Sequence, residues 1–275
     1  MNETEAIDFL TATRRMLASQ QDLSPNNPEV NRCLGRFVAT LRACQTAGFG
    51  QYLPDRPELA GLAGDLARLC GKAECAMEKW WCRRILASDC PAAQALAAFW
   101  YLDEYKALHS SELALIDRKP ASRFAFLGSG ALPVTAILMA QSQPEVSINC
   151  VDCDAEACEL AERLIKLIGL KDRITIIMDD AMHYGAAPDE LVLCASLLDA
   201  PYLFPALLKR GAQHLIVRDA EGVYRFCYRP SALPETGFIE RAKSAPSTAR
   251  INTSRYFEAA PPPLDASHAS HQMIS

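Results

Sequence analysis

The sequence predicts an α/β fold: a doubly wound, Rossmann-like sheet preceded by an all-helical N-terminal domain. Three observations predict it. The texture changes near residue 120, from helical periodicity to strands that alternate with helices. The first of those strands runs into Gly128-Ser129-Gly130. The next two strands end in acids, Asp152 and then Asp179-Asp180. Glycine after the first strand and acids after the next mark the ligand edge of such a sheet.

The elements follow in order. Residues 5–21 form an amphipathic helix, and Ser24-Pro25-Asn26-Asn27-Pro28 breaks it. Apolar residues resume at helical spacing over 29–45. Residues 57–88 read as one long helix and 91–117 as another, with Pro91 suited to a first turn. These segments make a helical domain over residues 1–118. Strands are expected at 123–129, 146–152, 173–180, 190–196 and 211–219. Helices fall between them at 132–141, 155–169 and 202–210, with Gly169 as a stop signal. Residues 223–230, 237–245 and 250–258 read as late strands, an antiparallel edge that completes a domain of residues 119–258. Residues 259–275 read as a flexible tail, and its His268 and His271 are given no metal.

Composition narrows the function. The net charge of −5 argues against a general nucleic-acid binder, which needs a basic footprint. No apolar run approaches the ~18 residues of a membrane span, and the acidic start Met1-Asn2-Glu3-Thr4-Glu5 is unlike a signal peptide. A cytoplasmic protein with reduced thiols is expected from eleven scattered cysteines. Cys150 and Cys153 form a C-x-x-C without a second pair, so core packing is favoured over redox or metal work. No metal site is expected. His109 and His183 are single histidines and take no catalytic role.

The glycine turn calls for a nucleotide. The dinucleotide fingerprint fails, because Gly130 is followed by Ala131, Leu132 and Pro133. A pyrophosphate wants free N–H groups at a helix start, and Pro133 removes one. Asp152 stands 22 residues after Gly130, where a ribose-binding acid belongs, and Asp180 lies where an adenine edge would pass. A phosphate-free nucleoside fits best, and S-adenosylmethionine (SAM) is the expected co-substrate on a SAM methyltransferase-type sheet. The cofactor set is Gly128, Ser129, Gly130, Leu132, Pro133, Asp152, Asp154, Asp180 and Ala181. The plainer alternative is a tight turn with the acids as helix caps.

The stretch "FAFLGSGALPVTAIL" closely resembles the "VGSGPLPLTS" segment of nicotianamine synthases, and of the relatives that make bacterial opine metallophores. "RLCGKAECAMEKWW" resembles that family's "RLC-x-x-AE-x-x-LE" helix, and "FWYLDEYKALHSSE" its "FPYYSNY" helix. "LIVRDAEGVYRFCYRP" and "ARINTSRYF" resemble its later strands, so the matches run in one order over residues ~65–257.

The resemblance implies transfer of the 3-amino-3-carboxypropyl (aminobutyrate) group of SAM to an amine, with release of methylthioadenosine. It implies Glu78 as the base and Tyr105 as the group that orients or deprotonates the amine. Glu112 would hold the substrate ammonium, Arg218 a carboxylate, and Asn252 an unspecified part of the substrate. For Arg218 the alternative is a structural salt bridge. For Glu74 and Glu78, four apart on one helix face, it is a solvated acidic stripe, with Lys79 and Arg83 as surface charges. Asp103-Glu104 replaces the family's Ser-Asn, which favours a bacterial acceptor, the α-amine of histidine, in biosynthesis of an opine-type metallophore. The product would pass to an opine dehydrogenase, and a homodimer is compatible with the chain. The alternatives are a nicotianamine synthase that uses several SAM molecules and a SAM-dependent methyltransferase.

Overall fold

The computed structural model describes residues 1–116, 122–198, 200, 202–234, 236–245 and 250–261. The expected boundary at residue 118, and most of the expected tail with His268 and His271, lie outside the described residues.

Helices α1 (Glu3–Ser19) and α2 (Pro28–Thr46) open the chain. Asn2 caps α1 in a reciprocal box with Glu5, and Asn27 caps α2 beside Pro28. The long helix α3 (Ala60–Leu86) follows a short 3₁₀ turn, Pro57–Leu59. The expected helix over 91–117 divides into α4 (Ala92–Ala97) and α5 (Leu102–Leu113). Aromatic packing marks the break. Phe99 and Trp100 both reach Trp81, with ring centroids 5.6 and 5.3 Å away.

The second part is a seven-stranded sheet. Its strands are β1 (Arg123–Leu127), β2 (Ser147–Asp152), β3 (Ile174–Met178), β4 (Glu190–Cys194), β5 (His214–Asp219), β6 (Phe238–Lys243) and β7 (Thr253–Ala259). Their order is β3-β2-β1-β4-β5-β7-β6. The first five strands are parallel, and β7 and β6 add the antiparallel edge that the sequence predicts. Helices α6 (Val134–Ser142), α7 (Ala155–Leu167) and α8 (Leu203–Lys209) make the crossovers. Strand order reverses between β1 and β4, and that switch point is where such sheets bind ligands.

One expected strand is absent. Gly222–Phe226 is a 3₁₀ turn, because Val223, Tyr224, Phe226 and Cys227 are buried at the spacing of a helical turn rather than in alternation. They pack into one core with Phe37 and Leu41 of α2 and Leu66 of α3. A second core joins Trp81, Cys82 and Ile85 of α3 to β1, β2, α6 and α7. Helix α3 is therefore built into the sheet's own core. Among the described residues no helix is long and apolar enough to cross a membrane.

Candidate active site

At the end of β1 the backbone turns through Gly128 (φ +73°) and Gly130 (φ +68°), a conformation that disfavours residues bearing a Cβ. Space makes the same demand. A Cβ on Gly128 would stand 3.1 Å from Leu198, and one on Gly130 would overlap the carboxylate of Glu78. The turn is held from β2. Gly130 N–H donates to Asp152 Oδ2 at 2.8 Å, and Asp154 N–H donates to Asp152 Oδ1 at 2.9 Å.

A cavity of about 970 Å³ opens over this turn, large for a single small-molecule ligand. Gly128, Ser129, Gly130, Leu132, Asp152, Asp154, Asp180 and Ala181 all line it, and Pro133 does not. Pro133 instead stands at the start of α6, where its lack of an N–H costs the helix nothing. Two of the acids serve as helix caps, as the plainer reading of the sequence allowed. Asp154 Oδ1 accepts from Glu156 N–H and Ala157 N–H, and Asp180 Oδ1 accepts from Met182 N–H. Three polar atoms lining the cavity are buried without a hydrogen-bond partner among the described residues: Ser129 Oγ, Ser196 Oγ and Asn252 Oδ1. Buried polar atoms cost stability unless bonded, so they are free to serve a polar ligand.

Helix α3 supplies the opposite wall. Glu74 and Glu78 project from it into the cavity, open to the cavity and otherwise enclosed by protein. Burial holds Glu78 well above the ordinary carboxylate range, and the nearby Glu74 and Asp152 charges push the same way. The Ala131 amide and the Tyr105 hydroxyl oppose this by donating toward Glu78. Burial also raises Glu74, while the Tyr228 hydroxyl, 2.7 Å from its Oε2, and Arg218 oppose the rise. Tyr105 is raised well above an ordinary phenol, first by burial and then by the Glu78 and Glu74 charges. The surroundings thus disfavour the charged forms of the acid pair and the phenol. A cation entering there would be welcome.

Glu112 corrects the expectation. It is 2% exposed and does not line the cavity, so it is not placed to meet a substrate ammonium there. Its carboxylate accepts from Arg218 Nε (2.7 Å), Arg218 Nη2 (2.9 Å) and Ser254 Oγ (2.8 Å). Arg218 Nη2 also donates to Thr135 Oγ1 at 2.9 Å. Arg218 is thus the structural salt bridge that was its alternative, although it does border the cavity. The cavity-facing carboxylate beside Glu78 is Glu74, at a spacing visible in the sequence, and Tyr228 is the partner that the sequence did not reveal. Asn252 lines the cavity.

Lys79 and Arg83 are not idle surface charges. Lys79 Nζ lies 2.6 Å from Asp154 Oδ2 and 2.8 Å from Glu156 Oε2, and Arg83 pairs with Glu156. Cys150 is buried and Cys153 exposed, as alternation along the end of a strand dictates. Among the described residues no cluster of His, Cys, Asp and Glu is suited to a metal ion.

Comparison with known proteins meets this geometry. The nicotianamine synthase family model matches residues 4–200. Nicotianamine synthase 3 of Oryza sativa subsp. indica is 30% identical over 266 residues, spanning 90% of this chain and 76% of its own. Nicotianamine synthase 9 of Hordeum vulgare is 32% identical over 171 residues, 60% of this chain and 49% of its own. Crystal structures of MtNAS share the fold. The complex of MtNAS with MTA and tNA superposes with a TM-score of 0.81 at 20% identity, covering 94% of this chain and 98% of that one. A glutamate-to-glutamine mutant of MtNAS in complex with S-adenosylmethionine superposes with a TM-score of 0.79 over 92% of this chain. The relatives named here are nicotianamine synthases, and a histidine acceptor draws no support from them. The chain belongs to the nicotianamine synthase family.

Proposed function

We propose that this protein transfers the 3-amino-3-carboxypropyl group of SAM to an amine and releases methylthioadenosine. The reading rests on one juxtaposition: the Glu78 carboxylate abuts Gly130, so a base faces the cofactor turn with no side chain between them. The family and the MtNAS complexes with SAM and with MTA support the same ligand. The residues fit it. Asp152 and Asp180 suit the hydroxyl and amino groups of a nucleoside, and the partnerless Ser129 and Ser196 hydroxyls add donors. The acid-lined wall suits a sulfonium and its ammonium.

The chemistry needs a neutral amine in line with the carbon–sulfur bond of the amino-acid arm. Glu74 holds the incoming ammonium, taking the role expected of Glu112. Glu78 accepts the proton as the nitrogen attacks, and Tyr105 orients the carboxylate by donating toward it. A raised pKa suits Glu78 to this work, since a base operates best near the ambient pH. The choice of that carbon over the methyl is one of position: held geometry decides which of competing attacks is fast.

For the acceptor, the family favours repeated transfer between SAM-derived units, as in nicotianamine formation. One observation keeps histidine as a second reading. Glu104, where the family's segment has Asn, borders the cavity, whereas Asp103 is turned outward to Lys106. A carboxylate there suits an acceptor with a second cationic group. Mass spectrometry of the purified protein with SAM alone, and with each histidine enantiomer added, decides between them. Products built from SAM units alone support the first reading. A product formed only with histidine supports the second, and no aminobutyrate-bearing product under any condition overturns both.

A further inference from the structure

Resting on the transfer reaction above, the geometry points to Lys79 as a positioning residue, whose ammonium latches α3 to the Asp152–Asp154 turn and so fixes Glu78 against Gly130. The two halves of the site come from different parts of the chain. Glu78 belongs to a helix that precedes the sheet, while the glycine turn belongs to β1. Nothing covalent sets the gap between them except a long excursion of chain.

Consecutive helical residues diverge by about 100° around the axis. With Glu78 facing the cavity, Lys79 is turned aside, onto the N-terminus of α7. Its side chain is 19% exposed and pairs with Asp154 Oδ2 at 2.6 Å and Glu156 Oε2 at 2.8 Å. Asp154 uses its other oxygen to cap α7, and its own N–H reaches Asp152 Oδ1 at 2.9 Å. Asp152 Oδ2 in turn holds Gly130 N–H at 2.8 Å, and Gly130 abuts Glu78. A ring therefore closes through Glu78, Lys79, Asp154, Asp152 and Gly130. The next ties from α3 to α7, Cys82 Sγ to Leu160 O at 3.3 Å and Arg83 to Glu156, lie about a turn further along α3. Lys79 is the tie next to the base.

The latch predicts a split between chemistry and binding. Lys79→Met should lower kcat by about 10- to 100-fold, the scale of a 1 Å misplacement, while the SAM Kd stays within about threefold. Lys79→Arg should recover most of the rate, because it restores a cation of similar reach. Asp154→Asn keeps the α7 cap but loses the charge. It should copy the kcat loss of Lys79→Met, with SAM binding compared in Lys79→Met alone because Asp154 itself lines the cavity, and the double variant should be no worse than either single. Hydrogen exchange gives a readout independent of turnover: amides of α3 around Glu78 should exchange faster in both single variants. Wild-type kcat in both variants overturns the latch, as does a SAM Kd that weakens in step with kcat in Lys79→Met. If the wild-type protein shows no transfer at all, the functional reading fails by itself. The exchange arm then decides the latch, and unchanged protection of α3 in both variants overturns it.

Discussion

Glu78 is a carboxylate placed where its charge is disfavoured, by burial first and then by Glu74 and Asp152. Two consequences have opposite signs. Activity needs the deprotonated form, so kcat should rise with pH through a limb above the usual glutamate range of about 4.3. Stability runs the other way. A folded-state pKa above the unfolded value means that the native protein binds more protons in that window, so Glu78 lowers stability as pH rises through it. Glu78→Gln should therefore abolish the acidic limb and lower kcat by about 10²- to 10⁴-fold, with SAM binding retained. It should also be more stable than wild type at neutral pH. Pre-steady-state rates and thermal melts across pH 5–9 check both parts, and unchanged turnover would remove Glu78 from the mechanism. The glycine turn was legible because it is local: a strand, two glycines and an acid 22 residues on. Glu78 was legible only through its resemblance to a family helix, because burial cannot be read from a pattern in which acids and cations alternate.

At the scale of elements, the site depends on how α3 and α5 are held against the sheet. Helix α5 is tied by Glu112, whose carboxylate meets Arg218 of β5 and Ser254 of β7 in a fully buried cluster. Removing one partner of a buried pair leaves an uncompensated charge, at a cost of about 3–5 kcal/mol. Glu112→Ala should therefore lower the unfolding free energy from denaturant titration by that much. Glu112→Gln, which retains an acceptor, should lose less, and a loss under ~1 kcal/mol for Glu112→Ala would contradict the reading. The pair joins residues 106 apart, and nothing local in the sequence signals such a contact. Similarly, 223–230 read as a strand from its β-formers, but the burial pattern of 223–227 follows a turn whose partners lie on α2 and α3. The break between α4 and α5 was hidden for a similar reason: the ring packed against it, Trp81, lies on another helix. By contrast, the five parallel strands and α6–α8 were legible, since alternation of apolar strand and amphipathic helix is itself the signal.

At the scale of the molecule, a helical segment and a doubly wound sheet share cores, and the cavity lies along their seam at the reversal of strand order. The sheet side offers the turn and acids that suit the nucleoside. The helical side offers Glu74, Glu78 and Tyr105, which suit an amine and its proton. In the proposed transfer, the helical wall brings the nucleophile to the amino-acid arm, which a methyl-transferring use of the same sheet does not need. The leaving nucleoside reports that choice directly. Chromatography of the nucleosides formed from SAM should show methylthioadenosine accumulating in step with transferred aminobutyrate, whereas S-adenosylhomocysteine as the accumulating nucleoside would mean methyl transfer and would contradict the account.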